Sequence, residues 1–354
     1  MAVTLLAIGS SLIVKGAALL QSPGPLTFAP GGILIAADPK AAALVSIKTG
    51  DGAASKNGQL AIKGINGKIA GLLGTSADAI RIVDLATNPD SRCAYLSVAR
   101  GRGAEAGAVI VRVDGEGDLS VVNLDPVQVT RVTLPNPPAD RVTGTGRRAR
   151  NQRLESITDI SFVDGNVIVA GLSNEEFAST LRSIPFPFED TAKGASIEIY
   201  HGAHGRFETR SPVRTFVPYS IEGEPHILAA YTCTPLVKVP VSQLKAGAHV
   251  KGTTIAELGN RNRPLDMLVY SKEGKDWFLM ANSSRGVMKI STDELADAAA
   301  ITSRVGGGGT EGQAFETIES WKNVFQLAPF DSNQALIIRG DDGGALDLVS
   351  VQFP

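Results

Sequence analysis

The chain is short of the residue types that cross-link a fold or mark a common active site. Its 354 residues include only two cysteines, Cys93 and Cys233, which excludes a disulfide framework. No run of 18 uncharged apolar residues occurs, which argues against a membrane-spanning helix. A formal net charge of -2 argues against an extended nucleic-acid-binding surface. The motifs of serine hydrolases, zincin metalloproteases and P-loop enzymes are missing.

The N-terminal segment "MAVTLLAIGSSLIVKGAALL" is apolar, but it does not match a signal peptide. It lacks a basic start, and Lys15 interrupts the apolar run. The pattern leaves open whether residues 1–10 are the remnant of a leader.

What the chain does have is 38 glycines and 19 prolines distributed between short strand patterns. Six apolar runs that end in small residues recur, each followed by a polar turn and an alternating strand. The first is "GILIAADPKAAALVSIK" and the last is "QALIIRGDDGGALDLVSVQ". Another short strand pattern, such as "LTFAP" or "LDMLVYS", precedes each run. Period-two alternation dominates, and long helical periodicity is nearly absent.

Repeats of roughly 50 to 75 residues with about four strands each predict an all-β fold, a six-bladed β-propeller. Seven blades are the alternative if residues 115–156 contain another one. No linker divides the chain, so we interpret residues 1–354 as a single domain. The last repeat has only three strands, and we predict that residues 11–20 close the ring by pairing with the C-terminal blade. The segment "QLAIKGINGKIAGLL" (59–73) is the predicted outer strand of the first blade.

Propeller geometry places the turn after each second strand on the same face as the connections into the inner strands. We call this the top face. Several polar residues are expected there as candidates for substrate binding: Asn151, Arg153, Asn174, Glu175, Arg261, Asn262, Arg263, Asn282 and Arg285. Converging arginines bind carboxylate or phosphate, which predicts a small anionic ligand at the channel mouth. The alternative is that these side chains tie the loops to neighbouring carbonyl groups.

The segment "IYHGAHGRFETR" (199–210) contains His201 and His204. In a flat strand their odd separation would direct them to opposite faces, but Gly202 and Gly205 allow the chain to turn between them. The segment connects the third and fourth repeats across the top face, where Cys233 is also expected.

These positions predict a transition-metal site made of His201, His204 and Cys233, with copper or zinc as the ion. Tyr231 lies on the same side of its strand as Cys233 and is the candidate catalytic residue, with packing as its alternative role.

An all-oxygen alternative places a calcium ion in the channel on Asp38, Asn174, Glu175, Asn282 and Asp341. At the level of architecture the chain resembles six-bladed calcium-dependent lactonases and phosphotriesterases, whose ions are held at the channel by Asn, Asp and Glu. That resemblance covers the blade pattern and not the full ligand signature.

Three segments, "GLSNEEFASTLRSIPFPF", "HGAHGRFETRSPVRTF" and "ELGNRNRP", also resemble bacterial propeller proteins of uncharacterised function. Those proteins are usually exported, so the resemblance implies a periplasmic or secreted location.

The leading hypothesis is therefore a metal-binding propeller, a copper- or zinc-dependent oxidoreductase or hydrolase acting on a small anionic substrate. One alternative is a non-catalytic scaffold for a protein or ligand, and a second is a calcium-dependent, lactonase-like hydrolase. Neither nucleic acid nor a membrane span is expected, whereas a protein partner stays open.

Overall fold

Six β-sheets stand as blades around a central channel, which confirms the predicted six-bladed β-propeller. The computed structural model describes residues 20–53, 59–103, 106–124, 129–146, 149–233 and 235–354. The described part of residues 115–156 forms outer strands of two blades and a small hairpin, so it contains no seventh blade.

The first three blades are numbered by the order in which their inner strands occur in the chain. Blade I consists of β1 (Leu26–Ala29), β2 (Ile33–Asp38), β3 (Ala43–Lys48) and β9 (Val129–Thr133). Blade II consists of β5 (Ile80–Thr87), β6 (Ala94–Arg100), β7 (Gly107–Val113) and β8 (Leu119–Val121). Blade III consists of β12 (Asp159–Val163), β13 (Asn166–Leu172), β14 (Ser179–Pro185) and β15 (Ala195–His201), with β16 (Arg206–Glu208) and β20 (His249–Lys251) added to β15.

The other three blades follow in chain order. Blade IV consists of β17 (Thr215–Ile221), β18 (Glu224–Ala230), β19 (Pro235–Pro240), β21 (Thr253–Leu258) and β25 (Thr310–Gly312). Blade V consists of β22 (Pro264–Lys272), β23 (Lys275–Asn282), β24 (Gly286–Ser291) and β26 (Phe315–Thr317). Blade VI consists of β27 (Val324–Pro329), β28 (Gln334–Gly340), β29 (Leu346–Gln352) and β4 (Ala61–Ile62). Outside the blades lie the hairpin β10 (Val142–Thr143) with β11 (Arg150–Asn151) and the helix α1 (Ile65–Leu73).

The blades pack face to face through six apolar clusters, one for each pair of neighbours. Both faces of a middle strand are therefore covered, which explains why β2 and β13 are continuous apolar runs rather than alternating ones. The clusters also give the order around the ring as I, III, IV, V, VI and II.

The ring order departs from the chain order because two blades are completed by strands from elsewhere. β9 lies between blades II and III in the chain, yet it pairs with β3 as the outer strand of blade I. β4 pairs with β29 of blade VI. Blade II therefore stands between blades VI and I.

Of two predicted strand assignments, one is wrong, and the other concerns residues that are mostly outside the described ranges. The segment 59–73 is not the outer strand of the first blade: its start forms β4 in blade VI, and its remainder forms α1. Residues 65–73 form a helix because Ile65 and Ile69 repeat at helical spacing and are both buried between blades II and VI. The proposed closing strand at 11–20 falls, except for its last residue, outside the described residues, and β4 pairs with β29 at Leu348 and Val349.

Candidate functional site

The two histidines of the His-x-x-His segment lie side by side because the chain reverses between them. β15 ends at His201, and the turn closes through hydrogen bonds from the backbone N–H groups of His204 (3.1 Å) and Gly205 (2.8 Å) to the carbonyl of His201. Gly205 has a φ of 66°, a conformation that favours glycine. The centroids of the two imidazole rings are 3.9 Å apart.

Glu208, in β16, holds both rings with one carboxylate. Its oxygens lie 3.0 Å from Nδ1 of His201 and 2.7 Å from Nδ1 of His204. Ser211 donates a further hydrogen bond of 3.1 Å. The bond from His201, followed by that from His204, lowers the pKa of Glu208 to about 2, so the carboxylate is ionised at neutral pH. An ionised acceptor keeps a proton on each Nδ1 and leaves the Nε2 lone pairs available.

Cys233 approaches the two rings from the turn that follows β18. It adopts a φ of 66°, and its N–H donates to the carbonyl of Asn262 at 2.7 Å. One ligand atom from each of His201, His204 and Cys233 lies within 4.8 Å of the others, and this is the one such group of three found in the described part of the chain.

The three side chains of this group differ in their exposure to solvent. The His204 side chain is 44% exposed, Cys233 is half-buried, and His201 is 2% exposed. Nε2 of His201 is buried and has no hydrogen-bond partner among the described residues. A buried imidazole nitrogen without a partner is unfavourable unless something binds it.

A second carboxylate, Glu257 of β21, lies beneath the histidine turn. Its Oε1 accepts the N–H of Gly202 at 2.6 Å, whereas Oε2 is buried without a partner among the described residues. Burial raises the pKa of Glu257. A Cβ on Gly202 would lie 2.9 Å from Cγ of Glu257 and 3.0 Å from Val305, so only glycine fits here without displacement.

Tyr231 packs between blades III and IV with Val213 and Phe216. It is 1% exposed, and its hydroxyl has no hydrogen-bond partner within the described residues. Burial raises the pKa of this phenol. These contacts are those of a core residue.

The mouth of the channel opens on the top face as a cavity of about 580 Å³. Arg214 lines it and is fixed by Glu155 (2.8 Å) and by the hydroxyl of Thr232 (3.1 Å). Arg263 lines the same cavity. The histidines and Cys233 are not among the lining residues, so the metal-ligand group lies outward of the cavity, at the seam between blades III and IV.

Three aspartates of the inner strands border this cavity and a second cavity of about 340 Å³. Each accepts the backbone N–H of the inner strand of an adjacent blade. The pairs are Asp84 with Leu26 (2.6 Å), Asp159 with Phe216 (2.8 Å) and Asp266 with Leu327 (2.7 Å). Burial raises the pKa of Asp84 to about 8, with a contribution from the charge of Asp159. Burial also raises the pKa of Asp159 to about 7 and that of Asp266 well above its ordinary value.

Of the nine predicted substrate-binding residues, Arg263 alone lines the channel-mouth cavity. Arg153 donates to the carbonyls of Pro138 and Lys40, and Asn151 caps the N–H of Arg153. These two side chains tie the connection into blade III to its neighbours.

The remaining six candidates are likewise held in loop contacts or exposed. The buried pair Asn262 and Asn282 is joined by a hydrogen bond of 2.9 Å. Glu175 contacts Asn136 (3.1 Å) and Lys193 (3.4 Å). The other three are exposed on the top face: Asn174, Arg261 and Arg285.

The oxygens of the calcium alternative are engaged separately rather than around one point. Asp38 is fully buried and accepts backbone N–H groups of Gln21 (2.7 Å), Ser22 (3.1 Å) and Ala41 (3.2 Å). Asp341 accepts N–H groups of its own turn. These hydrogen bonds shape the ends of strands.

Sequence reasoning missed Glu208, Glu257 and Arg214. Glu208 had a signal, since a carboxylate follows the His-x-x-His pair by four residues in the returning strand. Glu257 and Arg214 had none, because only the fold brings them to the site.

No helix within the described ranges is long and apolar enough to span a membrane.

No family model matches the chain, and no curated protein matches it. Among solved structures, the mitotic checkpoint complex aligns over 100% of this chain and 98% of that chain, with 10% identity and a TM-score of 0.41. A glucose dehydrogenase aligns over 95% and 97%, with 11% identity and a TM-score of 0.40. The PQQ-bound aldose sugar dehydrogenase of Streptomyces coelicolor aligns over 96% of both chains, with 11% identity and a TM-score of 0.31. Scores and identities this low support no inference about activity.

Proposed function

We propose that the protein binds one transition-metal ion through His201, His204 and Cys233. The observation that carries this proposal is the buried Nε2 atom of His201, which has no partner among the described residues. His201 also belongs to the group of three residues whose ligand atoms converge. A metal ion satisfies that nitrogen, whereas the bare arrangement leaves it desolvated.

The surroundings of the histidines fit this role. A ligating histidine donates its second N–H to a carboxylate, which fixes the ring and its tautomer. Glu208 accepts from Nδ1 of both rings and so serves two ligands at once. Two imidazoles and one thiolate are donors that suit zinc or copper.

Three protein ligands would leave a coordination position open, and the 44% exposure of the His204 side chain supports access to that position from solvent. Open sites of this kind support Lewis-acid or redox chemistry. The proposed function is therefore that of a metal-dependent hydrolase or oxidoreductase acting on a small anionic substrate at the top face. By its resemblance to exported propellers we also propose a periplasmic or secreted location, which fractionation of the producing cells tests.

Elemental analysis of protein purified without an affinity tag tests the metal site. We expect about one zinc or copper ion per chain, retained through dialysis, and its loss in His201→Ala and Cys233→Ser. His249→Ala is the matched control, because His249 contacts Ser196 and Glu198 on the outer strand of blade III and belongs to no metal-ligand group.

Loading with Co²⁺ or Cu²⁺ gives an independent readout. A thiolate-to-metal absorption band is expected in the wild type and not in Cys233→Ser. Metal content below stoichiometry that His201→Ala leaves unchanged contradicts the proposal and favours the non-catalytic scaffold.

A further inference from the structure

The cavity at the channel mouth has the size and composition of a small-molecule site. Its volume of about 580 Å³ lies within the range of ligand pockets. Because no member of the metal-ligand group lines it, whatever binds there need not touch the metal.

One side of the cavity carries excess positive charge. Arg214 is paired with Glu155, whereas the guanidinium of Arg263 has no ion pair or hydrogen bond with any described residue. Burial and the nearby charge of Arg214 lower the pKa of Arg263. A bound oxyanion would offset the repulsion between Arg214 and Arg263 and would accept a bidentate pair of hydrogen bonds from Arg263.

The rim of the cavity also presents two large apolar side chains to solvent. Leu154, at the connection into blade III, and Phe325, in β27 of blade VI, are both 43% exposed and both line the cavity. Blades III and VI are opposite in the ring order, so the two side chains face each other across the mouth. Exposed apolar side chains that flank a concave site mark a surface for an apolar ligand.

Together the arginine and the apolar rim define a class of ligand. We propose that the cavity binds an amphipathic organic carboxylate, with its carboxylate on Arg263 and its hydrocarbon body between Leu154 and Phe325. The raised pKa values of the aspartates at the base reduce the negative charge beneath the ligand.

Isothermal titration of the full-length protein with 3-phenylpropionate tests this assignment. Two related probes separate the contributions: 3-phenylpropanol keeps the hydrocarbon body without the charge, and acetate keeps the charge without the body. We expect 3-phenylpropionate to bind at least about tenfold more tightly than either probe, because a charge-assisted hydrogen bond and apolar burial are each lost in one of them.

Variants then locate the site. Arg263→Gln is expected to weaken binding of 3-phenylpropionate about tenfold. Arg285→Gln is the matched control, since Arg285 lies exposed on the same face, outside the cavity lining, and should leave the affinity unchanged. Equal affinities of the two variants, equal affinities for acid and alcohol, or no detectable binding of 3-phenylpropionate would each overturn the proposal. His201→Ala should bind the probe normally, so failure of the metal proposal would be seen separately.

Discussion

The three channel aspartates predict an unusual dependence of stability on pH, which replacement of Asp84 tests. In the folded protein the pKa of Asp84 is raised from 3.8 to about 8. Between pH 3.8 and about pH 8, Asp84 is therefore protonated in the folded state and ionised in the unfolded chain. The stabilisation from this proton is complete below pH 3.8 and is lost as the pH rises through about 8. Wild-type protein should therefore become less stable from pH 5 to pH 8.

The size of the effect follows from the shift. One pKa unit corresponds to about 1.4 kcal/mol, so three pH units correspond to at most about 4 kcal/mol for one group. Cavities on both sides bring solvent to the channel, and we halve the figure to about 2 kcal/mol for this reason. Asp84→Asn keeps an oxygen to accept the N–H of Leu26 but cannot ionise.

Urea unfolding at pH 5, 6, 7 and 8 measures the difference. The stability of Asp84→Asn relative to the wild type should increase by about 2 kcal/mol between pH 5 and pH 8. Asp297→Asn, an exposed aspartate outside the channel, should follow the wild type throughout. If Asp84→Asn and the wild type lose stability in parallel from pH 5 to pH 8, the aspartate is ionised in the fold and the reasoning fails.

Two further substitutions examine the histidine turn. Glu208→Gln should lower metal affinity about 10- to 100-fold in chelator competition, because the amide no longer orients both imidazoles, whereas Glu198→Gln in the same blade should not; equal affinities would show that the carboxylate has no part in binding. Gly202→Ala should destabilise the fold by about 1–3 kcal/mol in thermal or urea unfolding, since its Cβ meets Glu257. Gly67→Ala, exposed in α1 with open space around it, should instead stabilise by about 0.5–1 kcal/mol, and a loss at this position like that of Gly202→Ala would refute the steric argument.

Local pattern predicts the blades well because the three inner strands of each one form a hairpin series within about 50 residues. The course of the chain around the ring is different. The pairing of β4 with β29 depends on contacts between distant residues: the N–H of Leu60, next to β4, donates to Ser350 of β29, 290 positions later. A local sequence pattern does not show which distant strand will pair with β4. For the same reason the sequence does not show that blade II stands between blades VI and I.

The sequence of the inner strands distinguishes two kinds of blade. Three of the six carry an aspartate, and the other three carry none: Asp84, Asp159 and Asp266 lie in β5, β12 and β22. In the ring each aspartate accepts an N–H from a strand of the second kind. Blades with and without the aspartate therefore alternate around the ring, and each aspartate joins one such pair. The pattern of a single strand does not show this pairing.

At the candidate site, the residue types predicted local conformation better than they predicted which groups each side chain contacts. The glycines around His204 indicated a turn because their conformational freedom is a local property. The role of an arginine depends on which carbonyls lie near it, as Arg153 shows by donating to Pro138 and Lys40. Only the assembled loops decide whether such a side chain faces a ligand or a neighbour.

The borrowed strands of blades I and VI also constrain how the protein can be made. The segment from β4 to β9 contributes strands to three blades. Its first strand, β4, pairs with β29, which is synthesised much later than β4. Until blade VI exists, the apolar face of α1 with Ile65 and Ile69 has no complete cover. This apolar surface therefore stays incompletely covered until blade VI has formed, which makes closure of the ring a late, long-range step of folding.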